Sequence, residues 1–399
     1  MASNIQEVTK NTARHVLQLI TQTSENLKMM EFSEHFDTIQ ELGTGSYGKV
    51  LLAKPRGSGQ LVAVKLLSKV KVQMDNFLVE YGMSITLSGH PNIIRTHEVA
   101  FHTSRGYAFV QEVATAGTLY SLIKPNVGLS DDTVKRFVPQ IASALEYMHS
   151  KGMVHRDIKP DNILLMDFEC NIIKVADFGL TRLQGTEVPS ISRFTPYRAP
   201  ELCSLKKGDQ LLLRPSIDIW AFGVTIYAAL TGSFPWKGAE RRDPMYRDFA
   251  WWQVRKDVTL ASEKWKKFSL EARQMFWDLL ALNASERCSA MDILKYLHVP
   301  WKAEILSENH TRSTTGKKRY MTKALNRSVG QFFTLVASSE MLPAVWDIQT
   351  FTWIQGLHSR RGGDVQRPAT IEEECERRLR EMQIQNRGPV SDQVLLGWY

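Results

Sequence analysis

A chain of 399 residues, 43% of them hydrophobic, is long and apolar enough for one large two-lobed domain with flanking segments, or for two domains, and is not intrinsically disordered. The net charge of +8 comes from lysines and arginines spread along the chain, so we expect a solvated basic surface and no nucleic-acid partner. Four scattered cysteines indicate free thiols, and no apolar run reaches the ~18 residues of a membrane span, so we expect a cytoplasmic protein without a membrane span.

The first segment, residues 1–35, is predicted to be an amphipathic helical extension. Its apolar residues recur at spacings near three and four: Val8, Ala13, Val16, Leu17, Ile20 and Leu27. The apolar face either packs on the domain that follows or docks a regulatory partner, and the sequence leaves both open. Polar and charged residues interrupt the apolar ones, so we expect no signal peptide.

After this extension the pattern changes to short strands, and an early turn between them is rich in glycine. Gly43, Gly45 and Gly48 allow the backbone to close over phosphates and to present N–H groups to them. The same spacing opens a helix in dinucleotide-binding folds, whereas here it lies between strands and is followed by Val50. Leu42, the three glycines and Val50 are therefore predicted to contact a nucleotide.

The next strand carries Ala63 and Lys65, and a helix predicted over residues 75–87 carries Glu80. A glutamate at that position can pair with Lys65 and hold its ammonium against the α- and β-phosphates of a nucleotide. The alternatives are a lysine that snorkels at a sheet edge and an exposed helix glutamate. The order along the chain favours the ion pair, and Ala63 is predicted to line the adenine site.

A buried strand over residues 107–113 leads into a short connection, which is predicted to join a strand-rich small lobe to a helical large lobe. Backbone groups from Glu112 through Val113 to Ala114 are expected to hydrogen-bond the edge of an adenine. Gln111 is expected to stand at the back of that pocket and, as a polar residue of middle size, to restrict access to a deeper apolar space.

The chain is organised around the segment His155-Arg156-Asp157-Ile158-Lys159-Pro160-Asp161-Asn162. Asp157 can accept a proton from a hydroxyl while Lys159 neutralises phosphate charge, and Asn162 offers a neutral oxygen to a hard cation such as Mg²⁺. A polar surface turn with chance spacing is the alternative, which the residue types at fixed offsets disfavour. Leu164, in the apolar run that follows, is predicted to sandwich the adenine together with Val50 and Ala63.

Asp177 opens the tripeptide Asp-Phe-Gly after a buried strand, and its carboxylate is predicted to bridge magnesium ions to the β- and γ-phosphates. The polar segment 180–195 that follows offers four hydroxyls for phosphorylation: Thr186, Ser190, Ser192 and Thr195. Arg156 is expected to receive either a phosphate from this segment or the carboxylate of Glu187, and the sequence leaves both open.

Two charged residues further along are predicted to support the scaffold. Asp218 lies in a strongly apolar helix and needs buried partners, for which the backbone of the segment around Asp157 is the nearest candidate. Arg287 is placed to pair with Glu201.

Over residues 36–301 the chain resembles the eukaryotic protein kinases, because these motifs occur in the family's order: GTGSYGKV, VAVK, Glu80, HRDIKPDN, DFG, APE, IDIWAFG and Arg287. Segments such as FLVEYGMSITLSG and TGSFPW are most similar to the Src-homology-three-binding serine/threonine kinases. The resemblance implies an α+β, two-lobed fold, with a small antiparallel-sheet lobe that carries one helix and a larger, mainly helical lobe. It also implies transfer of the γ-phosphoryl group of ATP, with Mg²⁺, to serine or threonine hydroxyls of protein substrates.

The segment FTPYRAPE departs from the family pattern because it is one residue short. Thr195 is then the candidate for the threonine that contacts Asp157 and Lys159 in the family, or that threonine is absent. A pseudokinase, which uses the same fold as a binding module, is the second hypothesis, and the complete set of lysine, aspartates and asparagine disfavours it. A small-molecule kinase is the third, and the pairing expected for Arg287 disfavours it.

Residues 302–399 are predicted to form a partly disordered C-terminal extension. A charged run at 317–319 is expected to be solvated. The apolar segment 336–353 either folds back on the large lobe or docks a regulatory partner, and the sequence leaves both open.

Overall fold

The computed structural model describes residues 2–189 and 195–303. The predictions for the tail after residue 303, and the candidate phosphorylation sites Ser190 and Ser192, lie outside the described residues.

The small lobe is built on a six-stranded sheet with the order β1-β5-β6-β4-β3-β2. Its strands are β1 Lys28–Met29, β2 Phe36–Thr44, β3 Gly48–Pro55, β4 Val62–Ser68, β5 Thr96–His102 and β6 Gly106–Gln111. All neighbouring pairs are antiparallel except β1 and β5, which run parallel at the edge. Strand β1 was not predicted, because two residues carry no period that sequence reasoning can detect.

Three helices accompany this sheet: α1 Ala2–Asn26, α2 Phe32–His35 and α3 Met74–Leu87. Helix α3 packs its apolar residues onto the sheet, where Phe77 and Leu78 of α3 form a buried cluster with Leu67 of β4 and Phe109 of β6. A helix that carries Glu80 is thereby laid across the strand that carries Lys65.

The large lobe is mainly helical. Its helices are α4 Leu119–Leu122, α5 Asp131–Ser150, α6 Pro200–Cys203, α7 Ser216–Thr231, α8 Pro244–Val254, α9 Glu263–Lys266 and α10 Leu270–Leu279, with 3₁₀ turns at Pro160–Asn162, Val258–Leu260 and Ala290–Tyr296. Its short strands are β7 Met153–Val154, β8 Ile163–Leu165, β9 Ile173–Val175, β10 Arg182–Leu183, β11 Glu187–Pro189 and β12 Gln210–Leu212. They form three antiparallel pairs, β7 with β10, β8 with β9 and β11 with β12.

Two helices form the frame of this lobe. Helix α5 begins where the Ser130 hydroxyl accepts a hydrogen bond from the amide of Thr133, and Asp131 and Asp132 lie in its first turn, where carboxylates are favourable. Helix α7 is buried along almost its whole length, from Ile217 to Thr231. A buried helix of this kind gives the segment around Asp157 a rigid base.

The predicted α+β architecture, with a small antiparallel-sheet lobe and a larger, mainly helical lobe, is confirmed. Among the residues that the structure describes, no helix combines the length and the apolar character that crossing a membrane requires.

Candidate functional site

Lys65, Glu80 and Asp177 meet at the small-lobe side of the cleft. The ammonium Nζ of Lys65 lies 2.5 Å from Oε1 of Glu80 and 3.0 Å from Oδ1 of Asp177. The side chains of Lys65 and Glu80 are 16% and 9% exposed, so this contact is made largely out of water. The structure therefore brings a β4 residue, an α3 residue and the aspartate after β9 to one point.

Burial and charge act against each other in this group. Burial by itself would lower the pKa of Lys65, but the carboxylates of Glu80 and Asp177 raise that pKa above its ordinary value. Burial raises the pKa of Glu80, which the Lys65 ammonium opposes. Burial would also raise the pKa of Asp177, but Lys65 outweighs it and lowers that pKa to about 2. Lys65 therefore stays charged at neutral pH and is available to a phosphate.

The backbone around Asp177 is held in a sparsely populated conformation. Asp177 has a φ of 67°, in the left-handed region, and Phe178 next to it is 1% exposed with its ring 5.4 Å from the His155 ring. A Cβ at Gly179 would lie 3.2 Å from Oε2 of Glu80. The buried ring fixes the strained turn, and the glycine lets the turn approach α3.

Asp157 is held by the two functional residues that follow it. Its Oδ2 accepts hydrogen bonds of 2.8 Å from Nζ of Lys159 and 2.8 Å from Nδ2 of Asn162. The same Asn162 amide also donates to the backbone carbonyl of Asp157, at 2.8 Å. The carboxylate is 28% exposed, so it is fixed from one side and open to the cleft on the other.

The backbone of this segment rests on Asp218, as its burial in α7 suggested. One carboxylate oxygen accepts from the amide of His155 at 2.8 Å and lies 2.9 Å from Nε2 of His149, and the other accepts from the amide of Arg156 at 2.8 Å. Burial alone would raise the pKa of Asp218, but these donors hold it below its ordinary value. Arg156 has a φ of 72°, so these bonds also stabilise a left-handed residue.

The glycine-rich turn closes the top of the cleft. The amide of Gly45 donates to the carbonyl of Gly48 at 2.8 Å, and a Cβ at Gly48 would lie 1.9 Å from the carbonyl oxygen of Leu66 on β4. Gly48 is thus required by close packing of β3 on β4, whereas a Cβ at Gly43 would meet no atom within 4 Å. Leu42 near the end of β2 is 39% exposed.

The remaining predicted nucleotide contacts come from four strands. Val50 of β3 is registered with Lys65, and Ala63 of β4 with Gln111 of β6. On the large-lobe side, Leu164 of β8 bridges to Thr118. The structure therefore distributes the residues proposed to enclose an adenine between both lobes.

The connection between the lobes keeps backbone groups available. The Gln111 amide donates to Thr96 Oγ1 at 3.0 Å, which fixes its side chain to β5. The Glu112 carboxylate pairs with Lys174 at 2.7 Å and accepts a hydrogen bond from the amide of Arg95 at 2.7 Å, so the Glu112 side chain is already engaged. The amides of Val113 and Ala114 have no hydrogen-bond partner among the residues that the structure describes.

Arg156 lies near Arg182, which belongs to residues 180–195 (here called the activation segment), and is also within electrostatic range of Arg198; sequence reasoning did not predict this. Strand pairing sets Arg182 opposite Val154, which precedes Arg156 by two residues. Nη1 of Arg156 donates to the Leu180 carbonyl at 3.1 Å. Burial, followed by the charge of Arg182 and with a further contribution from Arg198, lowers the pKa of Arg156 to about 10. Their sequence positions give no spacing signal, because only the β7–β10 pairing brings the first two together.

Glu187 is exposed on β11 and makes no ion pair with Arg156 in the described part of the chain. Backbone bonds of 2.8 Å from Gly185 to Leu213 and 2.9 Å from Leu213 to Thr186 extend the β11–β12 pairing. The middle of the activation segment is therefore tied to the chain that precedes α7.

Arg287 donates two hydrogen bonds, of 2.6 and 2.7 Å, to the carboxylate of Glu201, as the sequence predicted. The Arg287 guanidinium also lies 4.9 Å from the centre of the Trp220 ring. Among the described residues, Asp157 and Lys159 receive no hydrogen bond from Thr195. Thr195 therefore does not make the threonine contact that the resemblance implied.

The chain is similar to known proteins over most of its length. The family described as protein kinase domain matches residues 36–299. Serine/threonine-protein kinase SBK1 of Danio rerio is 43% identical over 73% of this chain and 75% of its own length, and SBK1 of Mus musculus is 42% identical over 73% and 68%. Serine/threonine-protein kinase SBK2 of Rattus norvegicus is 37% identical over 70% and 78%.

Proposed function

The chain belongs to the protein kinase family, as an SBK-type serine/threonine kinase, and we propose that it uses MgATP through the residues gathered in the cleft. Protein kinases act on protein substrates, and the family in general uses ATP with Mg²⁺. The proposal concerns which side chains of this chain bind, orient and move the reacting groups. The single observation that carries it is the Asp157 carboxylate held by Lys159 and Asn162 at 2.8 Å each.

Lys65 is the proposed phosphate ligand of the small lobe. Its ammonium is fixed by Glu80 at 2.5 Å and stays protonated, so it can hold the α- and β-phosphates without reorganising. The backbone of the turn from Gly43 to Gly48 covers the phosphates from above.

Asn162 and Asp177 are the proposed Mg²⁺ ligands, and their donor atoms fit a hard cation. Both side-chain hydrogen bonds of Asn162 use the amide nitrogen Nδ2, which leaves the side-chain carbonyl oxygen Oδ1 available. Asp177 engages Lys65 through Oδ1 and stays ionised at neutral pH. Bound Mg²⁺ would neutralise phosphate charge.

Asp157 is proposed to orient the serine or threonine hydroxyl and to accept its proton as the oxygen forms a bond to the γ-phosphorus. The bond from the γ-phosphorus to the bridging oxygen breaks at the same time, and ADP leaves with that electron pair. Lys159 stabilises the charge on the transferred group. Most of the catalysis is positioning and electrostatics, because the transition state is loose.

The adenine is proposed to lie between Val50 and Ala63 above and Leu164 below. The unpaired amides of Val113 and Ala114 would hydrogen-bond its edge, with the carbonyl of Glu112 as the acceptor beside them. Gln111 would restrict the back of the pocket.

Purified protein with labelled ATP, Mg²⁺ and a serine/threonine peptide library tests this proposal. Asp157→Ala and Lys65→Ala are the matched variants, and we expect both to lose transfer while Asp157→Ala still binds ATP. A wild type that transfers no more phosphate than either variant, while binding ATP, contradicts the proposal.

We further propose that a phosphate on the activation segment is received by Arg156 together with Arg182. Burial and then the charge of Arg182 lower the pKa of Arg156, so an anion beside the two guanidinium groups would stabilise their charged forms, and no ion pair among the described residues joins Glu187 to Arg156. Phosphatase treatment of the active protein tests this: activity should fall, and Arg182→Ala should make activity insensitive to the treatment. Unchanged activity after complete dephosphorylation contradicts it.

The proposed domain boundaries remain those of the sequence: an extension at 1–35, a kinase domain at 36–301 with the change of lobe near residue 113, and an extension at 302–399. Regulatory partners for the two extensions and a cytoplasmic location also remain proposals.

A further inference from the structure

Helix α1 packs along the outer face of α3. Val16 and Leu17 of α1 are buried, with 4% and 9% exposure. At the crossing point, a Cβ on Gly82 of α3 would lie 3.4 Å from Cγ1 of Ile20 and 3.5 Å from Cγ1 of Val16. A methyl group fills this gap, and any larger side chain at residue 82 must displace α1.

The same helix contacts the large lobe near its other end. Thr9 Oγ1 accepts a hydrogen bond of 3.0 Å from Nε2 of Gln184, just after β10. A Cβ on Gly152, between α5 and β7, would lie 2.2 Å from Thr9 Oγ1 and 3.2 Å from Thr9 Cα. The backbone amide of Gln184 also donates to the carbonyl of Gly152 at 2.8 Å, so α1 rests on a rigid junction.

These two contacts make α1 a bridge between the lobes. Thr9 and Ile20 are eleven residues apart, which is about 16 Å along a helix. Ile20 packs against the core cluster that contains Val16 and Met83, and against the small-lobe cluster around Phe77. Val16 itself belongs to the core that continues into the large lobe.

The bridge acts on the face of α3 opposite its functional glutamate. Glu80 and Gly82 are two positions apart, about 200° around the helix, so Glu80 faces Lys65 while Gly82 faces α1. Helix α3 is therefore held between the sheet and α1. Movement of α3 away from the sheet would require α1 either to give up its packing on α3 or to move with α3 and lose the contact of Thr9 with the large lobe.

We propose that α1 is a built-in positioning element, which keeps Glu80 paired with Lys65 by closing the outer face of α3 and anchoring it to the start of the activation segment. Val16, Ile20 and Gly82 are positioning residues, since they act through Glu80 and touch no reacting group. This inference rests on the proposed role of the Lys65–Glu80 pair.

Gly82→Leu in the full chain is the direct test. Leucine favours the α3 helix more than glycine does, so the expected defect comes from displaced α1 and not from a weakened α3. We expect kcat/KM for peptide phosphorylation to fall on the order of tenfold, with a raised KM for ATP, as for coupling between contacting residues. Ile20→Ala in the same chain makes room for the leucine and should restore most of the loss. Gln18→Leu, on the exposed face of α1, is the matched control and should leave both constants unchanged.

A double-mutant cycle with Glu80→Gln separates positioning from plain stabilisation. If α1 acts through Glu80, Gly82→Leu should add no further loss in the Glu80→Gln chain, whereas a general loss of stability adds in both chains. Additive losses overturn the inference and leave the role of Glu80 standing. Full activity of Glu80→Gln overturns the proposed role of Glu80 and this inference with it. If Gly82→Leu does not fold, Val16→Ala carries the same cycle with the same outcomes.

Discussion

The two walls of the cleft hold their charged residues by different means. On the large-lobe wall, Asp157 sits in a segment whose backbone is bonded to Asp218, a carboxylate inside a fully buried helix. On the small-lobe wall, Lys65 depends on Glu80, whose position depends on where one helix lies between the sheet and α1.

This difference indicates on which wall the charged residues can be displaced without unfolding the protein. The large-lobe geometry belongs to the core, so disturbing its support disturbs the fold. The small-lobe geometry is a contact between two elements, so disturbing it alters activity while the core stays intact. The predictions below test this contrast.

The largest effect is expected from Asp157→Asn on the large-lobe wall. Loss of the proton acceptor should lower kcat by roughly 10²- to 10⁴-fold, while the carboxamide oxygen still accepts from Lys159 and keeps the loop in place. Steady-state peptide phosphorylation and the melting temperature check this together. Asp248→Asn, an exposed change on α8, should change neither. Near wild-type kcat in Asp157→Asn would remove Asp157 from the chemistry.

The support beneath that wall is tested by Asp218→Ala. Two buried amides, of His155 and Arg156, lose their acceptor, at a cost of about 1–3 kcal/mol each in the free energy of unfolding. Denaturant unfolding measures the loss, and kcat should fall with it because Arg156 is no longer held in its left-handed conformation. Asp248→Ala on the exposed side of α8 should stay within ~0.5 kcal/mol of wild type. Equal stabilities of the two variants would contradict a scaffold role for Asp218.

Glu80→Gln tests the other wall. The ion pair with Lys65 becomes a contact with a neutral amide, so kcat/KM for ATP should fall about 10- to 100-fold, which corresponds to ~1.5–3 kcal/mol. The free energy of unfolding should change far less than in Asp218→Ala, because α3 keeps its packing on the sheet. If Glu80→Gln loses as much stability as Asp218→Ala, the two walls do not differ in how they depend on the core.

The smallest effect concerns the pH dependence of Asp177. Its pKa is lowered from 3.8 to about 2, so its interaction with Lys65 stabilises the fold above the ordinary pKa and is lost as the pH falls toward 2. The difference in free energy of unfolding between wild type and Asp177→Asn should be constant from pH 7 to about 5 and should narrow below about 4. A difference that grows on acidification would contradict the lowered pKa.

Much of the site followed from local sequence, since its chemistry depends on closely spaced residues. Asp157, Lys159 and Asn162 lie within six positions, and a 3₁₀ turn at Pro160–Asn162 suffices to fold them onto one another. The approach of Arg182 to Arg156 was not predicted, because the pairing of β7 with β10 in the large lobe creates it.

The sequence by itself determined the order of the motifs and the residue types of the cleft, because short fixed spacings record them, and the resemblance that these motifs carry implied the fold class. Only the tertiary structure decided where the N-terminal helix packs. Its apolar stripe favoured packing on its own domain over docking a partner but named no contact, and the contacts form at Gly82 and Gly152, where missing side chains let α1 approach both lobes. Contacts between residues distant in sequence leave no local pattern, so packing alone determines them.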